Sequence, residues 1–418
     1  MKKAFKWLAA LCAVLAVAAA FTFGAGRAAA AGSKLDLSKM QIVLPAEATA
    51  VEQSAAAELN VYLEKMTGST LPIVPEGQSV SGKAVYIGAT QFADANAVAY
   101  PTDGDEFGEG WAIRAVDGNL VLTGAPTRGV LYAVYHLLED GLGVRWWTPW
   151  EEDIPTGGSA EVAADYNDSG VPAFEYRDVF IGVENKDSLY FVRNRVNGFT
   201  VNASAAYGGE EDYGYPAHTH TFNRYFPPYY GTADMSRAFE DYMNPTHENY
   251  FETHPEWFAL KNGERIPNGQ LCLTNVKETF KQKLLQSIEY SYAEADAEGR
   301  ARPRYFSVVP NDSDGFCECE RCTAVRSEYG LAGELLLFVN DMAEAVKTQY
   351  PEVLIEMPAY WHYIDAPEKV VPADNVEVRF AANATDLLHD LNHANNAHTL
   401  EQLQKWAALC ATSADKGY

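Results

Sequence analysis

The sequence predicts an α/β protein in two parts: a small mixed α/β domain, then a (β/α)8 barrel of the TIM type. Three observations carry this. Residues 41–165 alternate short apolar strands with two amphipathic helices. Beyond a polar stretch at 167–172 the pattern becomes strand, loop and helix in repetition, as parallel βα units require. Residues 172–418 number 247 (418 − 172 + 1), near the ~250 of a full barrel. Only about six strands are readable there, so the barrel is expected to be truncated at its C-terminal end.

Residues 1–31 stand outside the fold. Lys2, Lys3 and Lys6 precede an apolar run from Trp7 to Phe23, and small residues from Ala28 to Ala31 offer an Ala-x-Ala cleavage site. That is the form of a secretory signal peptide, with the mature chain expected to start between Ala30 and Gly32. Cys12 follows Leu11 inside the apolar run, a poor site for lipid attachment. No later stretch reaches the ~20 apolar residues of a membrane span, so a secreted or extracytoplasmic protein is expected. Losing Lys2, Lys3, Lys6 and Arg27 and no acid would move the net charge from −25 to −29. A surface so acidic disfavours nucleic acid and anionic lipid and suits a neutral or cationic ligand.

The first domain, residues 35–165, is read element by element. Ile42-Val43-Leu44 is a strand. Thr49 and Glu52 form a capping box opening a helix whose stripe is Val51, Ala55, Leu59, Tyr62, Leu63 and Met66, ended by Gly68. Ala84–Ile87 is a second strand. Asp117-Gly118 joins Trp111–Val116 to Leu120–Thr123 as a hairpin. Thr127 is expected to cap a helix carrying Val130, Leu131, Val134, Leu137 and Leu138. The run Gly129-Val130-Leu131-Tyr132-Ala133-Val134-Tyr135, then Leu137-Leu138-Glu139, Leu142-Gly143-Val144-Arg145-Trp146 and Ile154-Pro155, resembles the small domain preceding the barrel in bacterial β-hexosaminidases and α-glucuronidases. Ala57-Glu58-Leu59 and Lys65-Met66-Thr67-Gly68 belong to the same pattern. The resemblance implies a domain class and leaves the reaction open.

In the second part, residues 172–418, strands are expected near Tyr176–Ile181, Gly198–Ala203, Phe258–Leu260 with Gln270–Leu273, Tyr305–Val309, Leu354–Met357 and Val376–Phe380. A helix after Asp312 presents Leu331, Leu335, Phe338, Val339, Met342 and Val346 on one face. The ordered set Tyr176-Arg177-Asp178, Asn194-Arg195-Val196-Asn197-Gly198, His220-Thr221-Phe222, His254-Pro255-Glu256-Trp257-Phe258, Gln270-Leu271-Cys272-Leu273-Thr274-Asn275, Asn311-Asp312 and Cys317, Cys319, Cys322 resembles a bacterial family long labelled as of unknown function. That family includes endo-β-N-acetylglucosaminidases acting on N-glycans (glycoside hydrolase family 163). Its members carry further strands, including a Trp-Asp-Tyr segment, and this chain stops before it.

Asn311, Asp312 and Asp314 follow the Tyr305–Val309 strand, which places them where such barrels collect their chemistry. Glycoside cleavage needs an acid for the leaving oxygen and a second group supporting charge at the anomeric carbon. If the strand persists, Asp312 and Asp314 share a face; the alternative is a turn, since Asn, Asp, Ser and Gly are ordinary turn formers. Phe316 is expected to wall off Asp312 and raise its pKa, with Asp314 nearer water.

Cys272, Cys317, Cys319 and Cys322 form a candidate metal set, with disulfides and free thiols as alternatives; an export signal favours disulfides, and the odd count of mature cysteines leaves one over. His218 and His220 alternate and could hold metal, bind sugar hydroxyls or brace the fold. Trp257, Tyr360 and Trp361 could stack on sugar or fill the core. Arg177 and Arg195 could contact ligand or hold acids in place, and Glu256 suits the first turn of a short helix.

The leading expectation is therefore a secreted hydrolase of β-N-acetylglucosaminides in N-glycan-type carbohydrate, retaining and substrate-assisted, its activity and substrate implied by the family resemblance. Catalysis needs no cofactor, and structural zinc is the one candidate ion. The alternatives are an α-glucuronidase or exo-β-hexosaminidase on the same scaffold, or a non-catalytic glycan-binding protein or inactive fragment.

Overall fold

The computed structural model describes residues 33–105, 108–179, 188–198, 201–227 and 236–414. The expected leader at 1–31 and the expected mature N-terminus lie outside the described residues. The chain divides into two units, 1–210 and 211–418. Both are mixed α/β. No helix among the described residues is long and apolar enough to cross a membrane.

The first unit is built on a six-stranded mixed sheet. Its strands are β1 (Gln41–Leu44), β2 (Ile73–Pro75), β3 (Ala84–Ile87), β4 (Trp111–Val116), β5 (Asn119–Gly124) and β6 (Asn167–Gly170), in spatial order β6-β4-β5-β3-β1-β2. β1 runs parallel to β2 and β3, and β3 parallel to β5. The β4–β5 hairpin pairs Val116 with Asn119 across Asp117 (φ +49°) and Gly118 (φ +79°). Positive φ at both turn residues matches the twist of the strands they join.

Helix α1 (Ala50–Thr67) begins at the predicted capping box: the Glu52 amide donates to Thr49 Oγ1 at 3.2 Å and the Thr49 amide to the Glu52 carboxylate at 2.8 Å. Gly68 ends it at φ +80°. Helix α2 (Gly129–His136) continues as a π-turn over Leu137–Gly141. Arg128, not Thr127, holds its cap position, without a side-chain bond. Instead, close approach fixes that start. A Cβ on Gly129 would lie 2.1 Å from the Gly110 carbonyl, and one on Gly124 2.2 Å from the Gly129 backbone. Only glycines let the helix sit so tightly on the hairpin.

Asn167–Gly170 was expected as part of a polar linker and is instead edge strand β6, pairing Asn167 with Arg114 and Gly170 with Trp111. Backbone groups make that pairing, so alternation of apolar side chains is not needed at an edge.

The second unit holds a parallel sheet of three strands, β7 (Tyr305–Ser307), β8 (Leu354–Ala359) and β9 (Val376–Phe380), in chain order. Helices α3 (Leu273–Glu298) and α4 (Glu320–Lys347) pack against each other, and α5 (Ala397–Ala414) follows β9. The predicted apolar face of α4 is buried at Leu335, Phe338, Val339, Met342 and Val346. A kink at Gly330 (φ +74°) breaks the helix ahead of it.

Three of the expected strands are thus present, as a parallel sheet. Phe258–Leu260 and Gln270–Leu273 form a small antiparallel patch, where Phe258 bridges Leu271, Leu260–Lys261 pairs with Glu264–Arg265, and Leu273 already starts α3. Neither Tyr176–Val179 nor 201–203 is a strand; Phe180, Ile181, Phe199 and Thr200 lie outside the described residues. A closed barrel is not present among the described residues.

Candidate functional site

The carboxyl edge of the β7-β8-β9 sheet gathers most of the predicted site. After Ser307 the chain leaves β7, so Asn311–Asp314 is a loop and not a strand extension. The Ser313 amide bonds the Asn311 carbonyl at 2.8 Å and the Phe316 amide the Asp314 carbonyl at 2.8 Å, which is turn geometry. Both Asp312 and Asp314 are exposed, so the desolvation expected for Asp312 is missing from the free protein.

Asn311 braces this loop. Its Nδ2 donates to the Gly269 carbonyl at 2.8 Å, and its Oδ1 accepts the Asn223 amide at 2.9 Å. Gln270, buried, completes the clamp: its Oε1 accepts the Asn311 amide at 2.9 Å, and its Nε2 donates to the carbonyls of Asn311 and Ser313 at 2.6 and 2.7 Å. The loop carrying the acids is therefore held from three sides, and Gln270 is a positioning residue that local sequence did not single out.

At the end of β8, Tyr360 lies near enough to Asp312 to feel its charge. Burial first, then the neighbouring Asp312 carboxylate, raise the Tyr360 phenol. Tyr363 sits behind it, its phenol also raised, by burial first and then by Tyr360 and Asp312. Trp361 is 55% exposed and adopts φ +42°. A bulky residue rarely holds that conformation unless its surroundings impose it. The arrangement is an acid flanked by phenols beside an exposed indole, suited to a polar ring with an apolar face.

Beneath this edge lies Glu356, fully buried on β8. Ser307 Oγ donates to it at 2.6 Å and Arg379 Nε pairs with it at 3.2 Å. Burial raises its carboxyl, against the Arg379 charge and the Ser307 bond. An acid within an apolar strand pattern carries no local signal of a functional role.

The two histidines act as braces. His220 (φ +49°) donates from Nδ1 to the Pro310 carbonyl at 2.9 Å. His218 is 9% exposed, and its carbonyl accepts Arg379 Nη2 at 3.0 Å. Burial, aided by Arg379, Arg224 and His220, lowers the His218 imidazole to about 3. The unfolded chain then binds a proton below about 6.5 that the folded chain refuses until about 3, so stability falls as pH falls through that window. Between pH 6.5 and 5 the loss from this residue should be about 2 kcal/mol. Urea unfolding at both pH values, for the parent and for His218→Gln, checks it; an unchanged pH slope in the variant would remove His218 as the cause.

Trp257 does not join the edge: it stacks on His254 at 3.9 Å and meets Phe226 edge-on at 5.7 Å, a packing role. Arg177 is likewise not available to a ligand. It belongs to the first unit, where Nε donates to the Arg195 carbonyl, Nη1 to the carbonyls of Phe174 and Glu175, and Nη2 to Glu109 and the Tyr132 hydroxyl. All five guanidinium donors are satisfied. Arg195 holds Glu139 in the same manner.

The four cysteines do come together. Their sulfurs all lie within 4.8 Å of one another, none is in a disulfide, and Cys272, Cys317 and Cys322 are buried. Among the described residues this is the one group of three or more metal-ligating side chains. No triad forms around His218 and His220.

Comparison with known proteins divides the chain earlier, between residues 137 and 146. Residues 29–137 match the family described as glycosyl hydrolase family 67 N-terminus. No curated protein matches the chain. Among solved structures, a family GH115 4-O-methyl-α-glucuronidase with specificity for decorated arabinogalactans is 10% identical at a TM-score of 0.46, with 82% of this chain and 45% of that one covered. The Streptomyces plicatus N-acetyl-β-hexosaminidase is 13% identical at a TM-score of 0.40, with 88% and 69% covered. This chain thus spans less than half of the glucuronidase's length. Residues 146–412, well over half of the chain, match one family model, and the chain belongs to that family, described as domain of unknown function DUF4838.

Proposed function

We propose that this protein is an exported glycoside hydrolase that cleaves β-N-acetylglucosaminide linkages in N-glycan-type carbohydrate, with retention of configuration. The observation carrying this reading is the Asp312–Tyr360 pair beside exposed Trp361, at the carboxyl edge of parallel strands. The match of residues 29–137 to a glycosyl hydrolase N-terminus supports the reaction class. In this reading residues 1–31 are a cleaved leader, 35–165 the accessory domain, and β7 to β9 three strands of a (β/α) barrel spanning 172–418.

The chemistry runs through the substrate. Asp312 gives its proton to the glycosidic oxygen as the C–O bond breaks. The substrate's acetamide oxygen bonds to the anomeric carbon from the other face, while Asp314 accepts the acetamide N–H. Water then opens that intermediate, giving its proton to the Asp312 carboxylate, and the product keeps its configuration. No cofactor enters. Covering by the sugar supplies the desolvation that the free loop lacks. A neutral acetamido sugar suits the site better than a uronate, because Arg379, a cation at this edge, is already held by Glu356 and the His218 carbonyl.

Full-chain protein incubated with a complex N-glycan should release a glycan ending in reducing N-acetylglucosamine, and should turn over a chromogenic N-acetylglucosaminide more slowly. Release of uronic acid from a glucuronide, or of terminal sugars alone, would replace this substrate assignment with another glycosidase. Glycan binding without turnover would replace it with a binding role.

A further inference from the structure

We propose that Cys272, Cys317, Cys319 and Cys322 bind one structural Zn2+ as a tetrahedral tetrathiolate site, clipping the loop that carries Asp312 to the starts of two long helices. The distances carry this. Cys272 Sγ lies 3.7 Å from Cys319 Sγ and 3.8 Å from Cys322 Sγ. A tetrahedron with Zn–S bonds of ~2.3 Å has edges of about 3.8 Å. A disulfide would draw one pair to ~2.05 Å and leave the others apart. Here one sulfur is nearly equidistant from two, as sharing an ion requires.

The surroundings suit concentrated negative charge. Cys272 is the N-cap of α3 and Cys319 the N-cap of α4, so two helix N-termini converge on the sulfurs. Cys317 Sγ accepts the Leu260 amide at 3.3 Å and Arg265 Nη1 at 3.8 Å. Thr274 Oγ1 stands 3.5 Å from both Cys272 and Cys322 Sγ. Donors aimed at sulfur from backbone, hydroxyl and guanidinium form the outer layer that orients metal-bound thiolates. Four sulfur ligands, three of them buried, select a soft or borderline ion over calcium or magnesium. On binding, Zn2+ displaces the thiol protons to solvent and no redox change is needed.

The consequence reaches the candidate active loop. Cys317 follows Phe316 directly, and the Arg326 Nη2–Cys317 carbonyl bond at 2.9 Å ties the same segment to α4. The ion would thus hold one end of the Asn311–Phe316 loop while Gln270 holds its middle.

The test is elemental analysis of the full-length protein after exhaustive dialysis, with thiol counting during mercurial titration. One zinc per chain, released as four thiols are titrated, is expected, and Cys410→Ser should leave the zinc content unchanged. Cys322→Ser should lower zinc at least tenfold. Should that variant not fold, mass analysis of the parent after denaturing alkylation without reductant decides: all four cysteines alkylated supports the site. Disulfides among the four, or iron in place of zinc, would overturn it. Chelation should also speed proteolytic cleavage within 311–319; protection unaltered by complete zinc removal would overturn the clip.

Discussion

Replacing Glu109 by alanine is expected to destabilise the first unit by about 3–5 kcal/mol, the cost of stranding a buried charge network. Glu109 is 2% exposed. Its Oε1 accepts Arg128 Nη1 at 3.2 Å, the Tyr132 hydroxyl at 3.0 Å and Asn197 Nδ2 at 2.9 Å; Oε2 accepts Arg177 Nη2 at 2.6 Å. Only 4% of the Arg128 side chain is exposed, so alanine takes one carboxylate away from a guanidinium in the interior. Water reaches that place poorly, and the loss is the desolvation penalty more than the pair's net value. In a unit of this size the drop corresponds to a melting shift on the order of 10 °C. Arg177→Met should act the same way and more weakly, since Arg177 is the more exposed partner. It should leave KM for any glycan unchanged in the surviving folded protein. A raised KM with unchanged melting would return Arg177 to a ligand-contacting role, and a Glu109→Ala shift within 1–2 °C would mean the network is solvated.

That network marks the limit of what the sequence makes legible. Glu109 meets partners 19, 23, 68 and 88 residues away, and no local pattern relates those positions. Local chemistry reads well by contrast. The Thr49–Glu52 capping box, the Asp117-Gly118 turn and the Gly68 stop lie within four residues of the groups they satisfy. Strands β7 and β8 are legible because burial on both faces makes them nearly continuous apolar runs, and β9 because Val376, Val378 and Phe380 alternate with Glu377 and Arg379. Asn167–Gly170 is illegible for the opposite reason: an edge strand pairs through backbone groups that every residue has. Phe258–Leu273 misleads because apolar runs bury equally well in an antiparallel patch. The cysteine cluster is legible as well. Spacing groups Cys317, Cys319 and Cys322, and Cys272, expected with them from its place after an earlier apolar run, lies among them where the starts of α3 and α4 meet. At the sheet edge Asp312, Tyr360 and Trp361 were readable from their place after apolar strands, whereas Gln270, Tyr363 and Glu356 act from positions that look like ordinary strand or core.

Asp312→Asn is expected to lower turnover of a natural glycan by ~10²–10⁴-fold, the range for a group that moves a proton in the transition state. The amide keeps the shape, so the fold and the loop clamp through Gln270 and Asn311 should persist. Melting temperature and glycan binding should therefore match the parent while kcat falls. The leaving group separates the two roles that a carboxylate can have here. As proton donor, Asp312 matters little when the departing oxygen is a stabilised phenolate, so an activated aryl N-acetylglucosaminide should lose far less than the glycan. As the group orienting the acetamide, it matters equally for both, because the acetamide attacks in either case. Asp314→Asn should then show the complementary pattern. Tyr360→Phe removes the hydroxyl that meets Asp312 and is expected to cost less than loss of the acid itself, by shifting the pH profile of kcat/KM. Near-normal turnover of Asp312→Asn on a natural glycan would take this residue out of the mechanism. The Asn311–Asp314 loop would then be a surface turn held in place by Gln270, and the chemistry would have to lie elsewhere along the edge.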